Sequence, residues 1–294
     1  MSVMTRNECN LSSYSPLGGL VKQRCLTCGR HRMYFCYDCR IVLPGVPSPR
    51  VKVSSLVLIV VRQVNSESVL NFEEFADWLL ELLPCDVDVI KHPMEKNGKS
   101  SAIHCKILAP EQTRVRNNHH ASDIWFTHIV FQIFDVPNVF GYNKEDKQKH
   151  DGSDVVVFAS PSSVSIEEFV KTKGPVKRFI VLDCTWYQVN TMLRIPQIQG
   201  LPYVSLTKYH TAFWRPQRNV GQNGLATIEA IYYALREYQE YGLQRPYKGE
   251  FDDLLYWFFH TRQQVDKKNE EHRRRKVGVS GGVSDSSSSA SISL

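Results

Sequence analysis

The chain has 294 residues, 42% of them hydrophobic and 22% charged, with a formal net charge of +6. That is ordinary globular usage for one large domain or two modest ones, and it sets aside wholesale disorder and fibrous repeats. No apolar run is long enough to span a bilayer, and the opening "MSVMTRNECNLSSYSPLGG" lacks the apolar core of a secretory signal. The chain is therefore expected in the nucleus or cytoplasm, away from any membrane, with its eight cysteines kept as thiols or metal ligands by a reducing compartment.

Residues 1–20 are expected to be a disordered N-terminus. Residues 21–45 hold two CxxC pairs in "CLTCGRHRMYFCYDC": Cys25 with Cys28, and Cys36 with Cys39. Each pair can turn two thiolates toward one tetrahedral ion, and the intervening residues can fold back as a short hairpin, so a structural zinc module is expected. That loop is shorter than the commonest zinc spacing, which leaves the subtype open. Cys9, Cys85, Cys105 and Cys184 read as ordinary thiols. The Pro- and Gly-rich "VLPGVPSPR" then serves as a linker.

Residues 46–265 form the main domain. "SSLVLIVV" has the pattern of a buried strand and "NFEEFADWLLELL" that of an amphipathic helix capped by Asn71. "DVDVIKHP" alternates and predicts a strand ending at Pro93. Residues 111–123 are polar with few core candidates, and "IWFTHIVFQIF" fits either strand or helix. "DVVVFASPSS" predicts a buried strand entering a small-residue loop, with a helix following from about Ser165 to Lys171. "RFIVLD" is a further buried strand, "YQVNTMLRI" a helix stopped by Pro196, and "LPYVSL" a short strand. "GLATIEAIYYALREYQEY" is a long helix with Thr227 and Glu229 in its first turn. Strands alternating with helices imply a mainly parallel α/β sheet covered on both faces. The tail 266–294 carries "HRRRK", a candidate phosphate contact or nuclear-localisation patch, and a Ser-rich end, and is expected to be disordered.

Ligands of open parallel sheets bind outside the carboxyl ends of the strands. Three sequence stretches place polar groups there: Asp183 in "VLDCTW", Ser160 to Ser162 after "VVVF", and His92 with Glu95 in "IKHPME". Each has a plain structural alternative. Asp183 could cap the helix that begins near Trp186, Trp186 could be core, and His92 could bond a turn. Glu229 could complement a helix dipole.

"LDCTW" resembles the Asp-x-Thr-Trp signature of the DTW-domain family. The likeness extends in order through the cysteine pairs, "HPME", the Pro-Ser loop, a Leu-Pro-aromatic strand, "AFWR" and "GLATIEA", from about Cys25 to Tyr256. "TIEAIYYALREY" is most similar to the eukaryotic branch that acts on tRNA. Stretches near 51–85 and 112–137 have no counterpart in the family pattern and are taken as insertions. The resemblance implies a SPOUT-like, knotted fold and transfer of the 3-amino-3-carboxypropyl group of S-adenosylmethionine to N3 of a tRNA uridine, releasing methylthioadenosine. It places Asp183 as base or hydrogen-bond anchor. Pro161, Ser162, Leu182, Thr185, Trp186, Thr227 and Glu229 would hold the cofactor, with Glu229 on its ammonium. His92, Glu95, Arg215 and Arg218 would face the RNA, the arginines joining cationic and aromatic groups. The module around Arg24, Arg30, His31 and Arg32 would be a second RNA-facing surface. A monomer is expected. The rival expectations are a SPOUT-like RNA methyltransferase and a noncatalytic zinc-ribbon RNA-binding adaptor.

Overall fold

A computed structural model describes residues 3–51, 85–110, 113–116, 131–135, 152–195, 198–215 and 220–280. The strand and helix expected within 52–84 lie outside the described residues, as do Pro196 and Arg218.

The cysteine module is two small antiparallel ribbons. Strand β1 (Gln23–Arg24) pairs β2 (His31–Arg32), and β3 (Phe35–Cys36) pairs β4 (Ile41–Val42). The main sheet has six strands: β5 (Asp86–Lys91), β6 (Thr113–Arg116), β7 (Phe131–Asp135), β8 (Asp154–Val157), β9 (Arg178–Asp183) and β10 (Tyr203–Val204). Their spatial order is β10-β8-β9-β5-β7-β6, and every neighbouring pair is parallel. Five helices accompany them among the described residues: α1 (Ile103–Leu108), α2 (Ile166–Lys173), α3 (Val189–Met192), α4 (Thr227–Glu237) and α5 (Tyr256–Ser280).

The central strands β5 and β9 are covered on both faces, so β9 reads as an apolar run while the alternating β5 buries even Asp88 and Lys91. Val87, Val89, Phe179, Ile180 and Val181 are buried, with clusters of side chains on either side of the sheet. One cluster joins α1, α4 and the start of α5 to the cysteine module. Its fully buried members include Trp257, Tyr232, Tyr256 and Phe258. The amphipathic α2, capped by Ser165 through the Glu168 N–H, packs Ile166 and Phe169 into another.

The structure differs from the sequence reading at both ends and after Trp186, and it adds strands within 112–137. Residues 3–20 are not outside the fold: Leu17 is buried, and the backbone N–H groups of Asn10 and Ser12 donate to Asp252 (2.6 Å) and Asp253 (2.8 Å). A polar segment is ordered here by carboxylates that the chain supplies some 240 residues later. The tail from 266 onward is helical as far as Ser280, because α5 starts with the buried block Tyr256 to Phe259 and simply continues outward, exposed through its basic run. The segment 112–137 contributes β6 and β7, which extend the main sheet on the far side of β5. The helix after Trp186 is a single 3-10 turn followed by the four-residue α3.

Candidate functional site

The sheet order creates one crevice. The chain leaving β5 goes on to strands on one side of it, while the chain leaving β9 goes on to β10 on the other side. Adjacent strands whose connections diverge leave a gap beyond their carboxyl ends, the usual ligand position in open α/β sheets. Lys91 and Asp183 are partners in register at that gap. The ladder runs one step further, with the His92 N–H donating to the Asp183 carbonyl at 2.9 Å.

Asp183 is 3% exposed. Its carboxylate accepts from the Ser100 hydroxyl at 2.6 Å and from the Thr227 hydroxyl at 2.7 Å, one on each oxygen. It does not cap its own helix. That place belongs to Thr185, whose N–H and hydroxyl both reach Gln188 Oε1 (3.0 and 2.6 Å). The Thr227 side chain therefore ties the head of α4 to the carboxylate.

The start of α4 explains why two distant serines meet here. Residue 226 is alanine and has no side-chain oxygen to cap the helix. Ser101 substitutes for it, accepting the Ile228 N–H at 3.1 Å from a segment 127 positions earlier in sequence. The same α1 entrance thus caps α4 through Ser101 and tethers Asp183 through Ser100. A polar residue that must satisfy an orphan helix N–H is fixed in place by it.

Glu229 is buried at 2% exposure, and three groups donate to it: the Thr211 hydroxyl (2.7 Å), the Ala212 N–H (2.6 Å) and the Ala226 N–H (2.7 Å). Burial raises its pKa against the opposing pull of these donors. The carboxylate joins the 211–212 loop to the head of α4.

Glu95 lies close enough to Asp183 for the two charges to interact. Burial raises its pKa first and Asp183 second, while Lys91, Lys99 and Arg215 oppose them. His92 accepts the Met94 N–H on Nδ1 at 3.1 Å, the turn-bonding role. The Arg215 guanidinium lies 5.6 Å from the Phe213 ring centre and 5.9 Å from that of Trp214, within cation–π range. On the β8 and β9 side, Ser160 and Ser162 hydroxyls are 3.2 Å apart, Pro161 is exposed and Leu182 is half-buried. Trp186 is not core but 39% exposed, so it stands free as a flat apolar wall. Burial, then Asp183 and Glu95, push the Cys184 thiol up to about 12, which disfavours its thiolate. The sequence reading missed Ser100, Ser101, Thr211 and Lys91. Only Lys91, a cation closing an otherwise buried strand just before His-Pro, carried a local signal.

The four module cysteines place their sulfurs within 4.8 Å of one another, with Cys28 and Cys36 at 3.6 Å. A tetrahedral ion with metal–sulfur bonds of about 2.3 Å sets its sulfurs about 3.8 Å apart, so this donor set fits one. Both turns are built alike. Gly29 N–H donates to the Cys25 carbonyl at 2.8 Å and Arg40 N–H to the Cys36 carbonyl at 2.6 Å, and both residues have positive φ (70° and 57°). Glycine adopts that conformation freely; Arg40 does so at a cost the module must offset.

A DTW-type α/β domain with a carboxylate at its switch-point crevice is the class that this arrangement defines. The family described as DTW domain matches residues 68–265, and the chain belongs to it. A Xenopus laevis relative named tRNA-uridine aminocarboxypropyltransferase 1 is 31% identical over 257 residues, covering 81% of this chain and 78% of the relative. A Homo sapiens protein of the same name is likewise 31% identical, covering 81% and 75%, and a Xenopus tropicalis one is 30% identical over 276 residues. No solved structure matches the chain. No helix among the described residues is long and apolar enough to cross a membrane.

Proposed function

We propose that the chain is a tRNA-uridine aminocarboxypropyltransferase, acting on N3 of a uridine with S-adenosylmethionine as donor. The observation that carries this is the buried Asp183, fixed by Ser100 and Thr227 at the crevice between β5 and β9, in a chain whose relatives bear that name.

S-adenosylmethionine, when bound, supplies an electrophilic Cγ next to a sulfonium, and methylthioadenosine is what remains after transfer. The groups beyond β8 and β9 fit such a molecule: serine hydroxyls at 160 and 162 to meet ribose or carboxylate, and the exposed Trp186 indole to wall an adenine. Uridine N3 carries a proton that must leave as the new carbon–nitrogen bond forms. An ionised carboxylate only accepts hydrogen bonds, which suits Asp183 to an imide N–H. Ser100 and Thr227 hold it aimed, and its charge favours loss of that proton. Glu95 supports the same field from the RNA side, where His92 and Arg215 shape the loop and stack.

Zinc is the ion the four cysteines would hold, in a structural role. A nuclear or cytoplasmic setting suits four free thiolates. The SPOUT-like, knotted path rests on the family resemblance. The test is incubation of purified protein with S-adenosylmethionine and unmodified tRNA, followed by analysis of the small-molecule product. Methylthioadenosine supports the proposal, and S-adenosylhomocysteine would replace it with a methyltransferase. Binding of tRNA without any binding of S-adenosylmethionine would leave an RNA-binding adaptor.

A further inference from the structure

Helix α5 has two halves of opposite character. Tyr256 to Phe259 are buried in the core, whereas every residue from Asp266 to Lys276 is exposed. The root is tied to the site. Phe258 packs against Phe213 and Trp214, with ring centres 6.3 and 5.5 Å apart, and Arg262 Nη1 donates to the Ala212 carbonyl at 2.7 Å. The Ala212 N–H donates in turn to Glu229 in the first turn of α4, the same turn from which Thr227 tethers Asp183. The helix therefore leaves the fold from a root fixed to the catalytic carboxylate's own support.

Burial does not explain the outer half. A helix that is polar all round is held by its own side-chain pairs. Here these are Arg262 with Asp266 (3.7 Å), and Arg274 and Arg273 with Glu270 (3.1 and 3.8 Å). Residues 266–276 carry six lysines and arginines against three carboxylates. Lys267 and Arg274 are seven positions apart, as are Lys268 and Arg275, so the four line one side of the helix, with Glu271 between them. An exposed ion pair such as Arg274–Glu270 is weak enough to give way to a phosphate. At about 1.5 Å per residue, Arg274 stands roughly 18 Å along the axis from Arg262.

We propose that the outer half of α5 is an arm that holds backbone phosphates of the tRNA at a distance from the target uridine, through Lys267, Lys268, Arg274 and Arg275. This rests on the reading that the substrate is tRNA. Phosphate contacts fix register and orientation without reading sequence. An arm rooted beside the support of Asp183 and reaching that far grips another part of the folded RNA, and so favours a whole tRNA over a short hairpin carrying the same uridine.

The test measures equilibrium binding of an unmodified tRNA transcript over a range of salt, with S-adenosylmethionine binding and thermal unfolding in parallel. The variant K267A/K268A/R274A/R275A keeps good helix formers on the arm. It is expected to weaken tRNA binding and to lower the log–log salt slope by about 2–4, or about 1 for each phosphate lost. KM for tRNA should rise with kcat, S-adenosylmethionine binding and unfolding unchanged. Lysine at 274 and 275 should restore the slope. Glu271→Gln removes the carboxylate from the middle of the stripe and should bind tRNA more tightly, a gain that mere damage to the helix would not produce. A hairpin excised around the modified uridine should bind the wild type and the fourfold variant alike. Wild-type tRNA affinity and slope in that variant would overturn the arm while leaving the transferase reading intact, and would leave the basic run to another partner such as a nuclear-import receptor. Hairpin binding weakened as much as tRNA binding would overturn the remote contact by placing these residues at the crevice. A wild-type protein that neither binds nor modifies tRNA would overturn both readings.

Discussion

Asp183→Asn keeps the shape of the carboxylate and removes its charge, so it isolates what that charge does. The Ser100 and Thr227 hydroxyls lie 2.6 and 2.7 Å from its oxygens, lengths typical of charge-assisted O–H···O⁻ bonds. A hydrogen bond to an ionised group contributes roughly 1.5–3 kcal/mol and a neutral one roughly 0.5–1.5. The amide therefore loses about 1 kcal/mol at each hydroxyl, or about 2 kcal/mol in all. Relief of the desolvation cost of a buried charge offsets part of this. At about 2–4 °C per kcal/mol for a domain of this size, the melting temperature should fall by no more than about 8 °C. Turnover should fall far more, by roughly 10²–10⁴-fold, the usual worth of a positioned acid–base group. The assay pairs single-turnover transfer to tRNA with thermal unfolding and tRNA binding, and binding should be largely kept. Turnover within about tenfold of wild type would remove the charge of Asp183 from the chemistry. Alanine is a blunter probe, because it leaves two buried hydroxyls without an acceptor at a cost of roughly 1–3 kcal/mol each.

Cys25→Ser should abolish bound metal and loosen the module; metal analysis showing unaltered zinc content would contradict the four-cysteine site. Ser101→Ala removes the cap on α4 supplied from α1 and should cost about 1 kcal/mol in denaturant unfolding, with an unchanged midpoint refuting the cross-chain cap. His104, fully enclosed, has its pKa lowered by burial from 6.5 to about 4. Between those values the unfolded chain takes up the proton and the folded chain does not, so stability falls as pH falls through that window, by up to roughly 3 kcal/mol. His104→Leu should flatten the loss of stability between pH 7 and pH 4.5, and an unaltered slope would contradict the assignment.

The strands and helices that place the site were largely legible. β5, β8, β9, α2 and α4 follow from buried apolar runs and amphipathic spacing, because for these elements local pattern and tertiary burial agree. α1 went unseen. Its six residues are buried on nearly every side, so "IHCKIL" shows no polar face for a helical period to mark. β6 is short, and its alternating "TRVR" looks like polar loop. The site was legible in outline only. Asp183, Glu95 and the cysteines were found from strand ends and spacing. The partners of Asp183 were not, because Ser100 and Thr227 reach it from 83 and 44 residues away, and nothing local in a Ser-Ser pair announces that. The partners of Glu229 were hidden for a related reason: its position in a helix's first turn is visible in sequence, while the loop at 211–212 that bonds its carboxylate is not.

The central claim is that the crevice beyond β5 and β9 attaches an aminocarboxypropyl group to a tRNA uridine. Nucleoside mass spectrometry of tRNA incubated with the protein and S-adenosylmethionine tests it most directly. The account predicts a uridine bearing the 3-amino-3-carboxypropyl group on N3, formed in step with methylthioadenosine and lost in Asp183→Asn. A methylated nucleoside with S-adenosylhomocysteine, or tRNA left unchanged by protein that binds both substrates, would contradict it.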